Sequence, residues 1–274
     1  MNTSINLICT DFDGTIFAEF EHRPIPDVLV KQIAEFQQAG GKWIINTGRD
    51  LSSLLESLGR SRVSIHPDYL VVVERDIYVH NGASYDGFRR WNDACLADHN
   101  NLFAHVRSKV PDLSTWITNR HRATLYEDAF SPFCLIAESN EEADSIHVFL
   151  EEFAAQIPGL SVVRNDVYMR FCHSTYNKGT ALSEICRMLG VSAKETFVAG
   201  DHFNDLPMLQ RKRAAWLAAP ANAIAEVQET VREQGGYVSP FSAGDGVADA
   251  LRQCLTNGLS ETGATPSRSG IEQV

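Results

Sequence analysis

Five short apolar runs constrain this chain more than any other feature. They are "LICT" at 7–10, "KWIIN" at 42–46, "PDYLVVV" at 67–73, "TFVA" at 196–199 and "AWLA" at 215–218. Each has the length of a strand. The first, second and fourth run straight into Asp11, Thr47-Gly48 and Gly200-Asp201. Between them lie segments with helical spacing. Val28, Leu29, Ile33 and Phe36 mark one over 26–39, which Gly40-Gly41 ends. Others span 51–58, 178–189 (ended by Gly190), 204–210, 221–233 and 247–255, and "GYVS" reads as a short edge strand. Buried strands alternating with amphipathic helices build a parallel sheet with crossover helices, so the expected fold class is α/β with a Rossmann-like, doubly wound core.

The middle of the chain breaks this rhythm. A helix is expected over 93–110, strands over 123–126 and 133–137, an acidic amphipathic helix over 141–156, and a hairpin of 160–164 and 167–171 around Asn165-Asp166. The order helix-strand-strand occurs twice, which marks an inserted α+β layer. The expected division is a core of 1–87 and 175–255, an insert of 88–174, and a polar, aperiodic tail of 256–274.

Composition narrows the partners. A chain of 274 residues with a net charge of −11 lacks the basic surface that nucleic acid requires. No apolar run approaches a membrane span, and no secretory pattern precedes residue 7. The six cysteines form no Cys-x-x-Cys pair. Reduced, buried thiols in a cytoplasmic protein are the expectation. Oligomeric state stays open.

The chemistry collects where strands end. Asp11 and Asp13, Thr47 and Gly48, and Asp201 with Asn204 and Asp205 all follow a parallel strand, at the edge where open α/β sheets bind ligands. Each alone reads equally as a turn or a helix cap; their shared placement sets them apart. Two carboxylates about 4 Å apart repel by roughly 4 kcal/mol at an effective dielectric near 20. A divalent cation offsets this, and Mg²⁺ suits carboxylate oxygens, with Asp11, Asp201 and the Asp13 carbonyl as ligands. Lys178 opens a helix, where the dipole disfavours a cation unless it faces anions.

With these residues in place, "DFDGT", "INTGR", the "NKG" around Lys178 and "GDHFNDLPML" resemble, in order, the four motifs of the haloacid dehalogenase superfamily of phosphotransferases. The insert resembles the large α/β cap of its Cof-type and sucrose-phosphate-phosphatase-like branch. The chain departs from that pattern at Glu74-Arg75, where a glycine is common, and in "FCHSTYNKG", which lacks a proline. The resemblance implies a Mg²⁺-dependent phosphatase acting on a small phosphorylated metabolite, a sugar phosphate foremost. Asp11 would be the nucleophile that becomes an aspartyl-phosphate, and Asp13 the acid and base. Thr47, Gly48, Lys178 and Asn204 would hold the phosphate. Asp205 would orient Lys178 or join Asp11, Asp13 and Asp201 at the metal. An Asp at position 13 favours an alcohol phosphate over the chemistry of dehalogenases. The insert would select the leaving group, with Arg49, Arg120, His121, Arg122, Arg164, Arg170 and His173 as candidates and Trp91 and Trp116 as core of the insert. A hexose-phosphate mutase and a non-catalytic phosphometabolite-binding module are the alternatives.

Overall fold

A computed structural model describes residues 5–260. The chain begins with β1 (Leu7–Thr10), α1 (Asp27–Gln38), β2 (Lys42–Asn46), α2 (Leu51–Arg60), β3 (Tyr69–Val72), β4 (Asp76–His80) and β5 (Tyr85–Gly87). It continues through α3 (Arg89–Val106), α4 (Val110–Thr118), β6 (Ala123–Tyr126), β7 (Cys134–Ala137), α5 (Asn140–Ala154), β8 (Leu160–Asn165) and β9 (Tyr168–His173). It closes with α6 (Lys178–Leu189), β10 (Thr196–Ala199), β11 (Trp216–Ala219), α7 (Ala225–Glu233), β12 (Tyr237–Val238) and α8 (Ala243–Ser260).

β1 shows why the large sheet is covered on both faces. All four of its residues are buried, yet successive side chains point to opposite faces. Ile8 packs with Leu29 and Ile33 of α1 and Leu251 of α8. Leu7 and Cys9 pack with Leu182 and Ile185 of α6 and Val227 of α7. Burying each such aliphatic side chain stabilises the fold by about 1.5–3 kcal/mol. The sheet has eight strands in the order β12-β11-β10-β1-β2-β3-β4-β5. Pairing is parallel from β12 to β3 and antiparallel from β3 through β5. The doubly wound α/β expectation holds. The β4–β5 hairpin extends the sheet beyond what the apolar runs indicated, since its half-polar strands carry no strong pattern.

The second sheet has four antiparallel strands in the order β6-β7-β9-β8. Its core joins Leu102 and Phe103 of α3, Leu113 and Ile117 of α4, Ile146 and Leu150 of α5, Leu135 and Phe171 from the sheet, and Phe133 just before β7. The helix expected over 93–110 is followed by a second, unexpected one. α3 runs into a 3₁₀ turn at Arg107–Lys109, and α4 restarts at Val110 with Pro111 in its first turn, where a missing N–H does no harm. The helix expected over 204–210 is only a 3₁₀ turn, Phe203–Asp205, because Pro207 cannot continue the ladder and the Met208 and Leu209 N–H groups both return to the Asp205 carbonyl. Helix α8 starts at Ala243 and runs to Ser260, so residues 256–260 of the expected tail are helical. The rest of that tail, 261–274, lies outside the described residues. All six cysteines are unpaired thiols. Among the described residues, no helix is long and apolar enough to cross a membrane.

Candidate active site

Strands β10, β1 and β2 are neighbours and parallel, so their C-terminal ends bring Asp201, Asp11 and Thr47 to one edge. Asp11 follows β1 directly, and its N–H donates to the Ala199 carbonyl at 2.9 Å. Lys178 enters from α6. The Asn177 side chain caps that helix, accepting from the Gly179 and Thr180 N–H groups, and Thr180 answers by accepting from the Asn177 N–H. Gly179 must be glycine, because a Cβ there would lie 2.1 Å from the Pro207 carbonyl oxygen. This close approach brings Lys178 against the 201–207 loop.

Lys178 is fully buried, with Nζ donating to Asp11 Oδ1 and to Asp205 Oδ1, both at 2.6 Å. Burial opposes its charge, but the Asp11 and Asp205 carboxylates outweigh it and raise the lysine above its ordinary value. The other Asp205 oxygen accepts from the Asp201 N–H at 2.8 Å and the His202 N–H at 3.0 Å. Asp205 thus has one oxygen engaged by Lys178 and the other by its own loop. Asp201 accepts from Thr15 Oγ1 at 2.6 Å. Gly14, at φ +74°, packs so close that a Cβ would lie 2.3 Å from Asp201 Oδ2. Residues 221–224 buttress both: Asn222 Nδ2 donates to the Gly14 carbonyl and the Ile224 N–H to the Asp201 carbonyl.

Carboxylate oxygens of Asp11, Asp201 and Asp205 all lie within 4.8 Å of one another. Burial pushes Asp11 well above the usual carboxylate range against the pull of Lys178. Burial, then the Asp205 charge, pushes Asp201 up to about 7. Three carboxylates against one ammonium form a site with surplus negative charge and hard oxygen donors, which fits a divalent cation such as Mg²⁺. The Asp13 side chain stands outside this group. Arg49 holds it with both ends of its guanidinium, Nε to Oδ2 at 2.7 Å and Nη2 to Oδ1 at 2.6 Å. Arg49 also donates to Ser57 Oγ at 2.7 Å.

A cavity of about 620 Å³ opens between the two sheets beside these groups. Asp11, Asp13, Thr47, Gly48 and Arg49 line it from the large sheet, and Tyr126, Asn165, Asp166, Tyr168 and Arg170 from the small one. The Thr47 N–H donates to the Val71 carbonyl, and its Oγ1 accepts from the Arg49 N–H. The tip of the β8–β9 hairpin leans on the site, with the Asp166 N–H directed at the His202 ring. Of the candidate selectors in the small layer, Arg170 alone lines this cavity, and its Nη2 donates to the Gly48 carbonyl at 3.2 Å. Arg164 is buried against Asp144 and over the Phe203 ring. Arg122 is exposed and pairs with Glu138. His121 pairs with Glu142, and Arg120 lies over Trp116. His173 lines a separate hollow with Asp98 and His105. Trp116 stacks on Phe149 in the small layer's core, whereas Trp91 packs with the large sheet's cluster and donates to the Arg75 carbonyl.

Glu74 was not among the expected site residues. It is 5% exposed, lines the cavity, and accepts from Asn204 Nδ2 at 2.9 Å through Oε1. Asn204 Oδ1 is buried with no hydrogen-bond partner among the described residues. Val73 and Glu74 have φ of +50° and +65°, a conformation that costs roughly 1–3 kcal/mol at each non-glycine residue. Their N–H groups hold the turn by donating to the Arg49 and Thr47 carbonyls, each at 2.9 Å. The departure from the family pattern at Glu74-Arg75 was the available signal.

A family model for haloacid dehalogenase-like hydrolases matches residues 63–251. The chain is 28% identical over 248 residues to the phosphoglycolate phosphatase of Methanothermobacter thermautotrophicus, covering 90% of this chain and 98% of that relative. It is 26% identical over 262 residues to the 5-amino-6-(5-phospho-D-ribitylamino)uracil phosphatase of Bacillus subtilis, covering 92% and 96%. Its fold resembles the sucrose-phosphatase of Synechocystis in complex with sucrose and phosphate, with a TM-score of 0.68 and 17% identity, covering 92% of this chain and 98% of that one.

Proposed function

Because the chain belongs to the haloacid dehalogenase-like hydrolases and is a phosphoric monoester hydrolase, we propose that it is a Mg²⁺-dependent phosphatase of small sugar or polyol phosphates. In this reading residues 88–174 form a cap over a core of 1–87 and 175–255. The observation that carries it is the buried Lys178 ammonium between Asp11 and Asp205. A cation fixed beside a carboxylate at a strand end suits in-line attack on a phosphate dianion.

Asp11 attacks phosphorus, the P–O bond to the leaving alcohol breaks, and the phosphoryl group rests on the Asp11 carboxylate. Asp13 gives its proton to the departing alkoxide, then takes one from the water that cleaves the acyl-phosphate, which restores Asp11 and frees phosphate. Both Asp13 oxygens accept from Arg49 in the structure, so in this reading the side chain turns from Arg49 toward the ester to carry the proton. Thr47 Oγ1, the Gly48 N–H and Asn204 orient the phosphoryl oxygens. Asp11 and Asp201 would hold Mg²⁺, with the Asp13 carbonyl, and Asp205 acts by positioning Lys178. The bound ion supplies positive charge that offsets repulsion between nucleophile and phosphate.

The test is phosphate release from a panel of phosphate monoesters, with Mg²⁺ and with EDTA, for the wild type and Asp11→Asn. Release should require Mg²⁺ and fall by about 10⁴-fold or more in the variant, as for a lost covalent nucleophile. Release that persists in Asp11→Asn sinks the covalent mechanism. Interconversion of hexose phosphates without release would favour a mutase.

A further inference from the structure

In the cavity beside Asp11 one arginine is paired with a carboxylate and one keeps its charge, hydrogen-bonded only to a carbonyl. Arg49 is engaged by Asp13, Arg170 donates to the Gly48 carbonyl, and Arg164 is turned to Asp144. Against them, Glu19, Glu74 and Asp166 also line the space. Glu74 is the buried one. One of its oxygens takes the Asn204 amide, and the other has no donor among the described residues. Oε1 would lie 3.2 Å from a Cβ on Gly48, so the carboxylate sits against the loop that follows β2. The chain keeps this acid in a left-handed turn, following a β-branched residue with positive φ, where glycine would fit without strain.

We propose that Glu74 determines the leaving-group class. Its carboxylate accepts a hydrogen bond from a hydroxyl or ammonium close to the ester and rejects a carboxylate placed there. The substrate is then a polyol, sugar or amino-alcohol phosphate, not a phosphorylated hydroxy acid. A ligand that shuts this oxygen from water without offering a donor, or faces it with a like charge, binds roughly tenfold to a hundredfold more weakly. This rests on the phosphatase reading above, and the phosphoglycolate phosphatases among the relatives make it a sharp claim.

The experiment uses two matched pairs that exchange CH₂OH for a carboxylate: 2-hydroxyethyl phosphate against phosphoglycolate, and glycerol 3-phosphate against 3-phosphoglycerate. For each, kcat/KM is measured directly, and Ki against p-nitrophenyl phosphate hydrolysis supplies the ratio for a poor substrate. The wild type should favour the hydroxyl member at least tenfold in both pairs. Glu74→Gln keeps an acceptor for Asn204 and removes the charge, so the preference should shrink at least tenfold, mainly through gain on the carboxylate member. Glu74→Gly should do the same, and serves as the probe if thermal melting shows that the glutamine variant is unfolded. A wild type that treats both members alike, or favours the carboxylate, overturns the inference and leaves the phosphatase reading standing. An unchanged ratio in both variants overturns the role of Glu74. No hydrolysis of p-nitrophenyl phosphate or any pair member defeats the phosphatase reading, and this inference falls with it.

Discussion

The large sheet and the small one handle charge in opposite ways. At the large sheet's edge, Asp11, Lys178 and Asp205 are buried and contact one another, with their places set by strand ends and a helix start. In the small layer the basic side chains are scattered and answered apart from one another: exposed Arg122 by Glu138, half-buried His121 by Glu142, and buried Arg164 by Asp144. Buried charges cost several kcal/mol to desolvate and persist where geometry repays that cost, whereas exposed pairs contribute about 0–1 kcal/mol. The first pattern is what chemistry on a phosphate needs. The second leaves selection to the few groups that reach the shared cavity.

The largest effect should come from breaking the buried cluster. Lys178→Met leaves Asp11, Asp201 and Asp205 without their ammonium. Removing one partner of a buried ion pair costs about 3–5 kcal/mol. Urea unfolding should show that loss, and Mg²⁺ should restore part of it. Unchanged stability would mean that the cluster is not the buried charge centre described above.

A smaller loss should appear where α3 meets β9. His99 is buried there with its ring already satisfied as a neutral group, since Nδ1 faces the Cys95 carbonyl at 2.7 Å and Nε2 accepts from the His173 N–H at 3.0 Å. Burial, then the nearby Arg75 charge, pulls it down to about 4. The folded state therefore resists protonation that the unfolded chain accepts near 6.5. The stability is fully present above about pH 6.5 and is lost as pH falls towards 4, by roughly 3 kcal/mol in all. Urea titrations from pH 7 to 4.5 check this, and His99→Gln should flatten the slope. The smallest effects belong to the surface arginines. Arg170→Ala should raise KM by about threefold with kcat little changed, in line with the worth of a partly exposed contact. Arg122→Ala should change neither, and steady-state kinetics on the same substrate separates the two.

This contrast also governs what could be read from the sequence. The placement of Asp11, Thr47 and Asp201 at one edge was legible because strands of four or five apolar residues end at fixed positions, and that of Lys178 because it opens a helix. The β4–β5 hairpin was not, because "DIYVHNGASYDG" alternates weakly and enters through a left-handed turn that two non-glycine residues disguise. Pro111 stood just past the end of the helix expected over 93–110, yet it marks the first turn of a second one. Arg49 followed its motif, but its pairing with Asp13 depends on a loop 36 residues away, which local pattern does not encode. The small layer's arginines were indistinguishable as letters, since only tertiary placement separates Arg170 from Arg122.

The capping box at Asn177 has a mechanical consequence. The small sheet leaves through β9, and only Ser174, Thr175, Tyr176 and Asn177 separate its last residue from Lys178. Any rocking of that sheet would tug directly on the lysine. The Asn177 cap locks the helix start, while the Tyr176 hydroxyl, one residue earlier, is held by Asp98 of α3 at 2.6 Å. The joint is thus built like the strain relief on a cable: a pull along β9 meets the Asn177 cap before it reaches the lysine.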